Sequence, residues 1–244
     1  MRNLLLTISF DGGAYHGWQV QENAVTVQQV FQDAWQQICG KRENITGCSR
    51  TDAGVHANMY CCNIRTESEK DCNKLLMSLN AVLPDDIAVK KIEPVSMDFH
   101  ARYDCKSKEY IYRILNSPVK NPFEYKHSLK YPRPIDEKFL NEQAKQFTGT
   151  YDFTAFCSSG SSTADTVRTV YDCGVERDGD MITVRMSANG FLYNMVRITV
   201  GTLLYVSEGK IEPDKIKEII LSKDRNRAGI TVRPEGLYLN KVTY

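Results

Sequence analysis

Long hydrophobic runs are missing from this chain, and their absence removes whole classes of protein. No apolar stretch approaches the roughly 20 residues needed to cross a bilayer. The opening run Leu4-Leu5-Leu6-Thr7-Ile8 is too short for the apolar region of a secretory signal and has no small-residue cleavage site after it. Paired cysteine motifs are missing too. The 8 cysteines (Cys39, Cys48, Cys61, Cys62, Cys72, Cys105, Cys157 and Cys173) form no Cys-x-x-Cys pair and no zinc-type spacing with the 4 histidines. They read as reduced thiols, and a cytoplasmic location is expected. A Gly-x-Gly-x-x-Gly fingerprint, a Walker loop, a His-Glu-x-x-His pair and any metal-ligand cluster are likewise not found, so neither cofactor nor metal is expected. Finally there is no charge excess: Lys and Arg number 31 against 30 Asp and Glu, a net +1. No global basic field announces a nucleic-acid partner. Any such binding must rest on local clusters, such as Arg102, Lys106, Lys108 and Arg113, or Lys90-Lys91.

What is present describes an ordinary globular protein. Hydrophobic residues make up 42% of 244 and charged residues 25%. That length suits one large domain or two of about 100 to 150 residues each. Residues 4–10 read as a buried strand closed by the turn residues Asp11-Gly12-Gly13. Thr26 is a plausible cap for a helix over 27–38, where Val27, Val30, Phe31, Ala34, Trp35 and Ile38 follow the 3.6-residue period. Strands are predicted over 45–48 and 59–65, then a helix from Asp71 to about Val82 stopped by Pro84, then a strand over 87–92. The order is β-α-β-β-α-β, the split ferredoxin-like unit. Strand 109–115, helix 137–147, strands 167–176 and 181–188, helices 195–206 and 213–222 and strand 237–244 repeat it. The expected architecture is α+β: two tandem ferredoxin-like βαββαβ halves whose sheets join around a central cleft. The hinge is expected at 93–108, and 116–134, rich in proline and lysine, reads as an insertion.

One segment carries chemistry. Arg50-Thr51-Asp52-Ala53-Gly54-Val55-His56-Ala57 sets a short carboxylate between an arginine and a glycine where strand gives way to turn. A nearby Arg⁺ favours the ionised carboxylate, Ala53 and Gly54 permit close approach, and Gly54 can take a positive φ. Taken alone, such a pentad also describes a salt-bridged turn.

The octapeptide resembles the signature of the tRNA pseudouridine synthase A family, TruA, and other motifs follow in order. Phe10-Asp11-Gly12 and Gly17-Trp18-Gln19-Val20-Gln21 resemble its N-terminal motif, followed by Thr26-Val27-Gln28 and Asn80-Ala81-Val82-Leu83-Pro84-Asp85-Asp86-Ile87. Asp98-Phe99-His100-Ala101-Arg102, Tyr110-Ile111-Tyr112 and Val167-Arg168-Thr169-Val170 come next. Gly190-Phe191-Leu192-Tyr193-Asn194-Met195-Val196-Arg197 and Gly236-Leu237-Tyr238-Leu239 complete the series. Two places depart from the family pattern. Ser49 stands where glycine is usual, which bears on how the Asp52 loop bends. Thr231-Val232-Arg233-Pro234-Glu235 replaces a more apolar approach to the last strand, which bears on substrate preference.

The resemblance implies the pseudouridine synthase fold, with an N-terminal half over 1–105 carrying the catalytic aspartate and a C-terminal half over 106–244 completing the cleft and base pocket. It implies an intramolecular transferase, an isomerase that converts uridine to pseudouridine at positions 38, 39 and 40 of the tRNA anticodon stem-loop. Asp52 would be the nucleophile, attacking either the uracil ring or the ribose anomeric carbon, alternatives the residues leave open. Splitting one hard step in two suits a carboxylate that needs no base to ionise it. Arg197 would pair with Asp52, and Arg50 would help hold the backbone with its base extruded. Tyr110 would stack on the flipped base and assist proton transfer, with Leu237 as the opposite apolar wall. His56, His100, Arg102 and Arg168 complete the substrate-binding candidates, the two histidines as positioned hydrogen-bonding groups or phosphate contacts. A homodimer is implied, with tRNA spanning both subunits. A pseudouridine synthase aimed at another RNA and a non-catalytic RNA-binding paralogue are the alternatives.

Overall fold

The computed structural model describes residues 1–160 and 163–244. The first strands and helices are β1 (Arg2–Phe10), α1 (Val27–Cys39), β2 (Ile45–Gly47), β3 (His56–Thr66), α2 (Cys72–Val82) and β4 (Ile87–Val95). They are followed by β5 (Ser107–Leu115), β6 (Leu129–Lys130), α3 (Glu137–Ala144), β7 (Gly149–Asp152), β8 (Val167–Asp178) and β9 (Met181–Ala188). The chain closes with α4 (Met195–Ser207), α5 (Ile216–Ser222) and β10 (Leu237–Thr243). This is an α+β protein. It divides into two compact units, Met1–Lys106 with Tyr238–Tyr244, and Ser107–Leu237. Among the described residues no helix is long and apolar enough to cross a membrane.

The first unit orders β4-β1-β3-β2 with antiparallel pairings, as the split ferredoxin-like unit requires, and adds β10 parallel to β3. Helix α1 starts where the Thr26 side chain accepts the Gln29 N–H and ends at Gly40, whose left-handed φ of 77° is cheap only for glycine. Its Val27, Phe31, Ala34 and Trp35 turn into the core. Asp71 caps α2 by accepting the N–H groups of Asn73 and Lys74. Phe10, Trp18 and Tyr60 form an aromatic cluster, Trp18 and Tyr60 stacked with centroids 4.1 Å apart.

The second unit orders its strands β5-β9-β8-β7, all antiparallel, with β6 added parallel to β5. Phe147, Phe153 and Phe156 form its aromatic core. Helix α4 is buried along almost its whole length.

Several expected elements differ in extent, and three of them do so for a traceable reason. The helix predicted over 137–147 stops at Ala144 and tightens into a 3₁₀ turn over Lys145–Phe147, whose Lys145 carbonyl takes the Thr148 N–H. The helix predicted over 213–222 begins only at Ile216, because Asp214 takes a left-handed φ of 62°. There its N–H donates to Gln143 Oε1 and its carboxylate accepts from Gln143 Nε2. Strand β3 begins three residues earlier than predicted, since His56 and Ala57 pair in parallel with Tyr238 and Leu239. That pairing joins the final strand, read from sequence as closing the second half, to the first unit.

Helix α4 meets residues 229–230 backbone to backbone. A Cβ on Gly201 would lie 1.9 Å from the Ile230 carbonyl oxygen, and one on Gly229 would lie 2.3 Å from Gly201. Gly201→Ala should therefore cost about 1–3 kcal/mol, the range of overpacking that only a backbone shift can relieve. Urea unfolding followed by far-UV circular dichroism should show a lower midpoint, and an unchanged midpoint would mean that this contact yields freely.

Candidate active site

The Asp52 turn is built on backbone. The Asp52 carbonyl accepts the Val55 N–H at 3.2 Å, and Gly54 at the apex has φ 77°. A second loop, 11–18, lies directly on it. The Trp18 N–H donates to the Thr51 carbonyl and the Gly54 N–H to the Tyr15 carbonyl, both at 3.2 Å. Such proximity leaves no room for side chains: a Cβ at Gly17 would fall 2.2 Å from Thr51 O, and one at Gly12 would fall 2.0 Å from Val55 O. Gly17 also sits at φ 81°. Helix α1 braces this loop from behind. Its first N–H groups, Val27 and Gln28, donate to the carbonyls of Gly17 and Trp18, satisfying donors that the helix itself cannot.

A third motif closes the frame. The Asp11 N–H donates to the Asp86 carbonyl at 2.9 Å, and the Tyr15 hydroxyl donates to Asp86 Oδ1 at 2.6 Å. Burial and then the Asp86 carboxylate push the Tyr15 hydroxyl well above its usual pKa, so it remains a donor. His56, at the start of β3, is buried. Its Nδ1 lies 3.1 Å from the Gly12 N–H and 2.9 Å from Asp11 Oδ1, and its ring stacks on Tyr238 at 4.6 Å. It is an internal brace for the two loops.

Asp52 itself is half-buried and Arg50 is exposed. Arg50 makes no ion pair among the described residues. Ser49 is not among the residues with positive φ, so a side chain in place of glycine brings no backbone strain there. The Tyr60 hydroxyl donates to the Ser49 carbonyl, tying the entry of the loop to the aromatic core.

In the second unit Tyr110 lies on β5 opposite Met186 of β9, buried at 6% exposure. Phe191 meets its ring edge-on at 4.9 Å. Arg197 occupies the first turn of α4, its Nε donating to the Val232 carbonyl at 2.7 Å and its Nη1 to Asn194 Oδ1 at 2.6 Å. The departure at 231–235 thus sits against Arg197, and the Tyr112 hydroxyl holds it further by donating to Arg233 O at 2.6 Å. Leu237, at the start of β10, is buried. Arg168 donates to the carbonyls of Asp165 and Val167, and Gly190 leaves space beside it.

Sequence reasoning passed over three contributors. Phe191 lay inside a quoted motif without a role. Tyr15 and Asp86 are 71 residues apart, a separation at which no local pattern signals a contact. The hydrogen bonds that hold 96–101 come from Asn3 on β1 and Asn63 on β3.

Comparison with known proteins now bears on the arrangement. The sequence model of the tRNA pseudouridine synthases matches residues 6–104 and 143–244. The chain belongs to that family, a class of RNA-modifying isomerases. Among its relatives, tRNA pseudouridine synthase A of Thermoanaerobacter sp. (strain X514) is 49% identical over 246 residues, with 100% of both chains covered. The proteins of that name from Caldicellulosiruptor saccharolyticus and Acetivibrio thermocellus are 46% and 45% identical, again over 100% of each chain.

Gly12→Ala tests whether the loop contact positions Asp52. A displacement near 1 Å in a catalytic constellation costs on the order of 10²-fold in rate. Pseudouridine formation by this variant should fall by about that factor while its circular dichroism spectrum stays native. Wild-type turnover would show that the contact does not set the geometry.

Proposed function

We propose that this chain isomerises uridine to pseudouridine in the anticodon stem-loop of tRNA, at positions 38, 39 and 40, with Asp52 as nucleophile. The observation that carries the reading is the Asp52 turn. Its aspartate is half-buried in a frame built from three motifs of the family resemblance, in a chain that matches the family over both its halves. A carboxylate carried on a turn whose backbone is fixed by neighbouring loops is pre-organised for attack. Attack at the anomeric carbon breaks the N1–C1′ bond with uracil as leaving group, while addition to the ring tethers uracil to Asp52 as that bond breaks. In either case C5 then bonds to C1′, the C5 proton is lost, N1 gains a proton and Asp52 is released.

The other roles are carried over residue by residue. Arg50 supplies a cation next to Asp52 in the chain, and Arg197 a second one. Tyr110 provides the aromatic face for a base taken out of its stack, with Leu237 as an apolar wall. The edge-on contact with Phe191 supports this role, because it holds the Tyr110 ring in one orientation. Arg168, Arg102 and His100 contact the RNA backbone, which positions without specifying sequence. With a net charge of +1, one subunit offers little basic surface, and a homodimer doubles it. Reduced cysteines and the tRNA substrate favour the cytoplasm.

Mapping pseudouridine in total RNA from cells with and without this protein tests the reading. Loss at positions 38 to 40 of tRNA supports it. Loss in other RNA points to a different target, and unchanged RNA to a non-catalytic binding protein.

Asp52→Asn should abolish turnover while tRNA affinity stays within about tenfold, because binding rests on phosphate contacts and shape. Residual activity above a few per cent would sink the nucleophile assignment. Tyr110→Phe keeps the stacking face and removes the hydroxyl. If the hydroxyl moves a proton in the transition state, single-turnover tritium release from C5-tritiated tRNA should slow by about 10²- to 10⁴-fold. A wild-type rate would leave Tyr110 with stacking alone.

A further inference from the structure

Tyr103 is 75% exposed, yet the backbone of the segment that carries it is densely hydrogen-bonded. Six consecutive backbone N–H groups are satisfied. Phe99 donates to the Ser96 carbonyl, His100 to Asp104 Oδ2 at 2.8 Å, and Ala101 to Asn63 Oδ1 at 2.9 Å. Arg102 and Tyr103 both donate to His100 Nδ1, at 3.2 and 3.3 Å, and Asp104 donates to the His100 carbonyl. Two backbone donors on Nδ1 leave the proton of the neutral imidazole on Nε2.

The carbonyl groups are held as well. The amide of Asn3 donates to Ser96 O and Phe99 O, and Asn63 Nδ2 donates to Asn3 Oδ1, so a buried pair of asparagines fastens the loop to β1 and β3. The Tyr244 hydroxyl, kept protonated chiefly by burial, donates to Ala101 O at 2.9 Å. Lys106 N–H donates to Thr243 O where the segment leaves. At its other end Arg65 holds Met97 O.

This turn presents an aromatic face to solvent with an imidazole and a guanidinium beside it. The His100 ring lies 4.3 Å from Tyr103, tilted by 31°, and the Arg102 guanidinium is 5.8 Å from the centroid of the same ring. Among the described residues the Tyr103 hydroxyl has no hydrogen-bond partner. An exposed aromatic usually lowers solubility and gains nothing for the fold. A fixed, exposed ring flanked by arginine and histidine suits a π-face that stacks on it and a phosphate beside it, which are the two features of an unpaired nucleotide. Because the ring's support is already ordered, little conformational freedom is lost on binding.

We infer that Tyr103 is an RNA-binding residue, a stacking platform for an unpaired base of the substrate, flanked by Arg102 and His100. The inference rests on the reading of the chain as a tRNA-modifying enzyme and adds a contact away from the Asp52 turn. Stacking is tolerant of base identity, so the contact adds affinity without choosing sequence.

Filter binding of an unmodified, refolded tRNA transcript to the full chain tests it, paired with single-turnover pseudouridine formation. Tyr103→Ala and Tyr103→Leu should weaken tRNA affinity about tenfold, more than any fall in the rate at saturating enzyme, and Tyr103→Phe should restore it. The salt slope of binding should stay at the wild-type value in Tyr103→Ala and become shallower in Arg102→Ala. Unchanged affinity in Tyr103→Ala, with a wild-type protein that modifies tRNA, would overturn the inference alone. Wild-type protein that makes no pseudouridine in tRNA would overturn the reading beneath it, and the inference with it. Loss of affinity that tracks a change of oligomeric state in sedimentation would assign the face to a second copy of the chain and also overturn the inference.

Discussion

Two backbones in direct contact set the terms for the first unit of this protein. The loop over residues 11–18 and the turn over 51–55 approach so closely that a Cβ at Gly12 or Gly17 would fall 2.0 or 2.2 Å from a carbonyl oxygen, deep inside van der Waals contact. Only glycine allows that approach, and only the approach lets the Trp18 N–H reach Thr51 O and the Gly54 N–H reach Tyr15 O. From this contact follow the start of α1, which uses the same loop to satisfy its first N–H groups, and the burial of His56 between Asp11 and Tyr238. The glycine-rich character of the N-terminal motif is therefore a steric requirement of the Asp52 turn.

The same economy recurs in the loops around it. Irregular backbone close to a core needs its polar groups paired, since an unpaired buried group costs as much as a lost hydrogen bond. Asn3 and Asn63 supply those partners for 96–101, while the Asp86 carbonyl takes the Asp11 N–H and its carboxylate the Tyr15 hydroxyl. These side chains form their hydrogen bonds with other parts of the chain. They make loops behave as rigid elements, and a site assembled on loops gains from that rigidity the precision that helices and strands would otherwise provide.

Charge follows a local logic. The net value of +1 hides an uneven distribution in which basic side chains accompany aromatic ones, as Arg102 does Tyr103. For a protein that handles a polyanion, such pairing lets binding depend on placed contacts rather than on a broad field, which screens steeply with salt.

Much of the fold was legible in the sequence because the elements are amphipathic, capped and separated by turn residues. Thr26 and Asp71 are side-chain caps where the pattern placed them, and β9 spans the predicted 181–188. Asp52 also stood out locally, since its arginine, glycine and histidine neighbours lie within one octapeptide. What the sequence by itself did not contain were facts carried by distance along the chain. Tyr15 finds Asp86, Asn63 finds Ala101, and Tyr238 pairs with His56 to lengthen β3 and draw the final strand into the first unit. The left-handed Asp214 that delays α5 is held by Gln143, 71 residues away. Periodicity and capping are local signals, set by neighbours within a turn of helix or a pair of strand residues. Long-range hydrogen bonds depend on which backbone groups the packed chain leaves without partners, and only the tertiary structure decides that.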